Sequence, residues 1–176
     1  STPQSKSKQS LKHENNRLRL RQESSWLRMD ATVALAQEYI EQGKKVAISC
    51  AFVPVLHELV KKLEDKGIQT SLIFGGQNAQ EKEQQRLDFQ KGSSNAIVFT
   101  VEEAISLHQG EYIDPKKDKQ RVLIIHDIRW SAIQMAQIEG RTHRNGQFAP
   151  IIWTGASDTV DMDIAEVMIN KVKNMK

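Results

Sequence analysis

The chain has 176 residues, enough for one domain with a core of ordinary size. Hydrophobic residues make up 39% and charged residues 27%, which excludes a wholly disordered chain; no apolar run could span a bilayer, and the N-terminus lacks the apolar core of a signal peptide, so a soluble intracellular protein with no membrane partner is expected. Cys50 is the single cysteine, which excludes a disulfide framework and, with five scattered histidines, leaves no metal site in view; the net charge of +3 permits a polyanionic partner without demonstrating one.

Residues 1–29 read as a flexible basic segment or connector. Ser1 to Ser10 is Ser, Gln and Lys with almost nothing to bury, so disorder is expected. Leu11 to Arg21 sets Leu11, Leu18 and Leu20 among Lys12, Arg17, Arg19 and Arg21. Such a stretch could lie on DNA as a basic helix, but the plainer expectation is a solvated connector from an upstream domain. From residue 30 to residue 176 the pattern is that of one domain. Asp30 is the expected N-cap of a helix over Ala31–Gln42, which Gly43 ends. Val46–Cys50 reads as a buried strand. Pro54 opens a helix running to Asp65, and Gly67 stops it. Gln69–Phe74 is a strand, Gln80–Gln90 a polar helix, and Ala96–Thr100 and Val122–Ile125 are strands. Gln109–Arg121 reads as a polar loop. Trp130–Ile138 is a helix, Ile151–Trp153 a strand and Met162–Lys173 a closing helix. Strands that are almost wholly apolar and alternate with helices imply a mostly parallel central sheet, helices on both faces, and ligands at the C-terminal strand ends.

The most specific string is Gln137-Ile138-Glu139-Gly140-Arg141-Thr142-His143-Arg144-Asn145-Gly146-Gln147. Gly140 lets the backbone approach a ligand, and two guanidinium forks three residues apart match phosphate oxygens. A bare pair of arginines at that spacing is ordinarily a solvated helix end; the full string is far more specific. It resembles motif VI of superfamily-two helicases, in the form found in Swi/Snf-type translocases. Other segments follow in order. Lys45–Cys50 and the helix through Leu56, Leu59 and Leu63 resemble motif IV, and Thr100 with Ala104-Ile105-Ser106-Leu107 resembles motif V. A narrower likeness, to strawberry notch-type helicases, rests on Ile105-Ser106-Leu107-His108, Trp130-Ser131-Ala132, Gly140–Arg144, Gln147 and Ala149-Pro150. Ala104 and Ser106 depart from the usual motif V, which has Gly and then Asp or Asn there. The resemblance covers Lys44 to about Lys173.

The resemblance implies a three-layer RecA-like α/β domain, the C-terminal lobe of a helicase or translocase. Arg141 and Arg144 are then the catalytic, ATP-facing arginines, and Gln137, Gly140 and Ser106 bind or couple to ATP. Ser49, Phe52, Gly75, Gly76 and Thr100 are the expected nucleic-acid contacts, with DNA ahead of RNA. No G-x-x-x-x-G-K-S/T occurs. The resemblance therefore implies that an N-terminal RecA-like lobe of the same protein binds most of the ATP and Mg²⁺, and that this fragment alone is inactive. His126-Asp127 is a lone acidic site, expected to be structural. Trp130 could stack on a base but suits a core better, and His108 and His143 are expected to be structural hydrogen-bonding residues. The compartment would be cytoplasm or nucleoid for a bacterial or phage protein, and nucleus for a eukaryotic one. Two rivals stand beside this reading. One is a non-enzymatic RecA-like module that binds nucleic acid or protein. The other is a Rossmann-type enzyme, disfavoured because no G-x-G-x-x-G follows the first strand.

Overall fold

A computed structural model describes residues 3–100, 118–127 and 151–153 of the chain. Its elements are α1 (Pro3–Leu27), α2 (Met29–Glu41), β1 (Lys45–Cys50), α3 (Val53–Asp65), β2 (Thr70–Ile73), α4 (Ala79–Gln90), β3 (Ala96–Thr100), β4 (Arg121–Ile125) and β5 (Ile151–Trp153). The helices expected over 130–138 and 162–173, and most of the loop expected over 109–121, lie outside the described residues.

The five strands form one parallel sheet in the order β2-β3-β1-β4-β5. Every residue of β1, β3 and β4 is buried, which is why those strands read as unbroken apolar runs. From β1 the chain crosses past β3 to β2 through α3, then turns back to β3 through α4. Right-handed crossovers in opposite directions place their helices on opposite faces. The packing agrees. Val55, Leu56, Leu59 and Leu63 of α3 join Val33 and Ala36 of α2 against Val46, Ile48, Cys50, Val98 and Ile124 on one face. Each fully buried Leu among them contributes roughly 1.5–3 kcal/mol. Phe89 of α4 is buried apart from that cluster.

Local chemistry sets the helix ends. Gly43 and Gly67 have φ of +83° and +79°. Past α2, the N–H groups of Gly43 and Lys44 donate to the carbonyls of Ile40 and Tyr39; past α3, those of Gly67 and Ile68 donate to Glu64 and Leu63. Both ends therefore wind down through the left-handed glycine that the sequence provides. At α4, Asn78 and Glu81 form a reciprocal capping box. The start of α2 differs from expectation. Asp30 is not the N-cap; Arg28 is, in helical conformation, and Asp30 sits in the first turn with an ion pair to Lys62 at 3.0 Å. Burial of Met29 and Arg28 outweighs the local preference of Asp30 for a cap. The segment expected as disordered tail and connector is helical from Pro3 to Leu27, and Ser25, Arg28 and Met29 beneath it are buried in the domain.

The edge where β1 and β4 begin is structural. Lys45 and Arg121 are paired neighbours that lie over the Phe89 ring, 5.2 Å and 5.7 Å from its centroid. Arg121 donates to Asp118 and to Gln90 Oε1, and Lys45 to the Phe89 carbonyl. Burial, together with the Arg121 charge, lowers the Lys45 pKa to about 8.

Candidate functional site

The opposite edge, where the strands end, holds every expected contact residue that falls among the described ones. Register sets Cys50 beside Thr100, Ile73 beside Phe99 and Ser49 beside Ile125, so the loops after β1, β2, β3 and β4 leave from one side.

The loop after β2 is a built turn. The Gln77 N–H donates to the Phe74 carbonyl at 3.3 Å, and the Gln77 side-chain amide bridges the Phe74 N–H (3.1 Å) and the Leu72 carbonyl (3.1 Å). Gly75 and Gly76 are exposed at its tip. A Cβ on Gly76 would lie 2.7 Å from Cε2 of Phe74, so glycine is required for the ring to fold over the turn. That ring meets His57 of α3 edge-on, with centroids 4.9 Å apart at 76°. His57 thereby ties the β2 loop to the helix that follows β1. Phe52 is half-buried at the N-cap of α3 and packs against the core.

Two expected contacts sit beneath this surface. Ser49 is fully buried on β1, and its Oγ has no hydrogen-bond partner among the described residues. Thr100 is buried at the end of β3. Of the expected contacts at this edge, Gly75 and Gly76 are exposed and Phe52 is half-buried. Neither the segment Ala51–Pro54 nor the segment Phe74–Asn78 contains a Lys or Arg, so phosphate contacts from these loops would be made by backbone N–H groups.

The end of β4 carries a buried polar network. Asp127 accepts from Arg28 Nη2 at 2.8 Å and Ser25 Oγ at 2.9 Å, and its Oδ2 also takes the Ala51 N–H at 3.0 Å. Arg28 also donates to the His126 carbonyl at 2.8 Å and to Ser24 Oγ. The His126 ring bridges Thr32 Oγ1 (2.6 Å at Nδ1) and the Ser25 carbonyl (2.8 Å at Nε2). A carbonyl only accepts, so Nε2 carries the proton, and in the neutral ring Thr32 then donates to Nδ1. The ring is held neutral. Burial pushes its pKa below the usual histidine value, helped by the Arg28 charge and opposed by Asp127 and the Ser25 hydrogen bond. His126 and Asp127 are thus structural, as expected. They fasten the α1–α2 junction to the end of β4 and to the residue before Phe52. Sequence reading did not find this network, His57–Phe74 or the Gln77 clamp. The capping box had a sequence signal, Asn78 three residues before Glu81.

Arg141, Arg144, Gln137, Gly140 and Ser106 lie outside the described residues, as do Trp130, His108 and His143. Among the described residues no cluster of three or more His, Cys, Asp or Glu could hold a metal ion, and no helix is long and apolar enough to cross a membrane.

No family model matches the chain, and no curated protein matches it. Solved structures do. The C-terminal part of the Fun30 ATPase domain is 18% identical over 80% of this chain, with a TM-score of 0.62. S. cerevisiae Dbp5 bound to RNA and ADP BeF3 is 17% identical over 87%, with a TM-score of 0.66. The C-terminal domain of the DEAD-box protein Dbp5 is 18% identical over 85%, with a TM-score of 0.64. The fold is RecA-like. This chain spans 45% of the Fun30 chain, 38% of the RNA-bound Dbp5 chain and 80% of the isolated Dbp5 domain, so its likeness is to one lobe.

Proposed function

We propose that this chain is the C-terminal lobe of a two-lobed, nucleic-acid-dependent ATPase of superfamily two, a helicase or translocase in the manner of the Swi/Snf and strawberry notch types. The observation that carries this reading is the string Gln137–Gln147, which the sequence places between β4 and β5 of a RecA-like sheet. The connection that follows β4 leaves the sheet at the ligand-binding edge. ATP binds between this lobe and an N-terminal lobe that holds most of the nucleotide and Mg²⁺. Arg141 and Arg144 reach its terminal phosphates, with Gln137, Gly140 and Ser106 coupling the site to the lobe. Charge developing on the transferred phosphoryl oxygens is stabilised by fixed guanidinium groups, which can contribute ~10³ to 10⁵ in rate. Nucleic acid runs across Phe52, Gly75 and Gly76, with Ser49 and Thr100 supporting them from below. Closure of the two lobes on ATP and opening after hydrolysis moves the strand by a hinge motion.

The test is Arg144→Ala in the two-lobed protein, measuring kcat, KM for ATP and melting temperature. Turnover falls about a thousandfold or more while KM and melting temperature hold, because the interaction is made chiefly in the transition state. Arg144→Lys restores little, since an ammonium cannot reproduce the bidentate fork. Full turnover in Arg144→Ala removes the assignment. A large drop in melting temperature makes the residue structural instead. The RNA-bound Dbp5 structure makes RNA as well as DNA a required stimulating probe.

A further inference from the structure

Helix α1 holds the chain's positive charge. It contains six Lys and Arg (Lys6, Lys8, Lys12, Arg17, Arg19, Arg21) against two acids (Glu14, Glu23), a net +4; the whole chain is +3, so the residues outside it carry −1. Every residue from Lys8 to Leu20 is exposed. Within the helix, Arg19 pairs with Glu23 at a long 3.8 Å in solvent, with both side chains more than 60% exposed. Such a pair neutralises little.

The helix is also fixed in place. Ser25, in its last turn, and Arg28 beyond it meet His126 and Asp127, Arg28 also donates to Ser24, and the same Asp127 oxygen that takes the Ser25 hydroxyl takes the Ala51 N–H. The basic helix therefore springs from the loop edge that holds Phe52, where the segments Ala51–Pro54 and Phe74–Asn78 offer backbone donors but no Lys or Arg. At a rise of 1.5 Å per residue it is about 37 Å long, roughly one turn of a duplex.

We infer that α1 is a basic arm that binds the phosphate backbone of nucleic acid and supplies cations beside the segments Ala51–Pro54 and Phe74–Asn78, which contain none. Charge complementarity selects this occupant. A polyanion releases counterions when it meets an exposed array of this density, and the backbone carries one charge about every 1.7 Å of duplex. Only the continuity of the arm with a track across Phe52 and Gly75-Gly76 rests on the reading of the chain as a helicase lobe. Leu11, Leu18 and Leu20 are exposed on the same helix, at 58%, 48% and 60%, and make a second copy of the chain the competing occupant.

The experiment uses the full 176-residue chain. Binding of labelled mixed-sequence duplex DNA, single-stranded DNA and single-stranded RNA is followed by anisotropy between about 50 and 200 mM salt. Lys8→Gln, Lys12→Gln, Arg17→Gln and Arg19→Gln are combined in one variant, and Phe52→Ala with Gly76→Ala in another. Gln keeps helix propensity, and circular dichroism checks that the fold is retained. The expected result on duplex DNA is a salt slope reduced by up to about 3.6 in the four-Gln variant, near 0.9 per lost phosphate contact. An unchanged slope overturns the arm. If the loop variant alone loses binding, the arm fails while the lobe reading stands. If the four-Gln variant alone loses it, the arm stands and the loop track fails. Sedimentation supplies the remaining outcome: a dimer that Leu11→Ser with Leu18→Ser converts to monomer, with no loss of affinity in the four-Gln variant, assigns α1 to self-association and overturns the inference.

Discussion

Removing the Asp127 carboxylate should destabilise the domain more than any surface change. Its side chain and that of Arg28 are 6% and 8% exposed. In Asp127→Ala the guanidinium keeps the His126 carbonyl and Ser24 but loses its counter-charge. Breaking a buried pair from one side costs about 3–5 kcal/mol. The hydroxyl of Ser25, fully buried, and the N–H of Ala51 lose their acceptor as well, at roughly 1–3 kcal/mol for a group left unmet. These contributions overlap, so a total of at least about 4 kcal/mol is expected, a large share of the roughly 5–15 kcal/mol that holds a domain. Asp127→Asn keeps the shape and one acceptor and should cost about half as much. Urea unfolding of Arg28→Met, Asp127→Asn and the double variant then gives a coupling of about 2 kcal/mol. Hydrogen exchange at the Ala51 amide should quicken in Asp127→Ala, because that N–H loses its partner. A cost below about 1 kcal/mol for Asp127→Ala, or a coupling below about 0.5 kcal/mol, would mean that the pair behaves like a surface bridge and does not fasten α1 to the sheet.

Two other expectations follow from the same edge. His126 has a folded pKa below its unfolded value of 6.5, so the unfolded chain binds the proton first; stability present above pH 6.5 is lost as pH falls through the folded value. His126→Gln, whose amide can donate to the Ser25 carbonyl and accept from Thr32, should flatten that acid limb in thermal melts, and an unchanged pH profile would show that the ring is not held neutral. Gly76→Ala drives a methyl into the Phe74 ring, so the ring should leave His57, with a stability cost on the order of 1 kcal/mol. Its readout is the His57 ring proton shift, which should move toward the solvent-exposed value; a shift left in place would mean that the turn yields instead.

The elements that could be read from sequence are those whose cause is local. The apolar runs of β1, β3, β4 and β5, the stops at Gly43 and Gly67 and the start near Pro54 all carry their own signal, and each lies within one or two residues of its expected place. What could not be read depends on partners far away in the chain. Arg28 and Asp127 are 99 residues apart, and neither has a local pattern that names the other. That long-range pair, with Met29 in the core, is why α2 begins before Asp30. Ser49 and Thr100 were legible as strand ends, but periodicity gives only which residues share a face, not whether the face at that height is covered. Over Leu11–Arg21 a basic helix stands second to a solvated connector, and the full helix Pro3–Leu27 has no clear signal, because its leucines form no single stripe: Leu11 and Leu18 lie on one side and Leu20 and Leu27 nearly opposite.

The place of β1 in the sheet bears on how the chain is made. It precedes the other four strands of this sheet in the chain, yet it is the central one, bonded on one side to β3 and on the other to β4. Its second partner begins at Arg121, so the ribosome must deliver most of the domain before both sides of β1 are satisfied. Until then an apolar strand with open backbone groups is presented to other nascent chains, a state that favours intermolecular pairing. Closure between Lys45 and Arg121 also spans a long loop, which slows folding relative to a sheet built from neighbouring strands. Chains cut short before β4 should therefore aggregate rather than fold into a smaller soluble sheet.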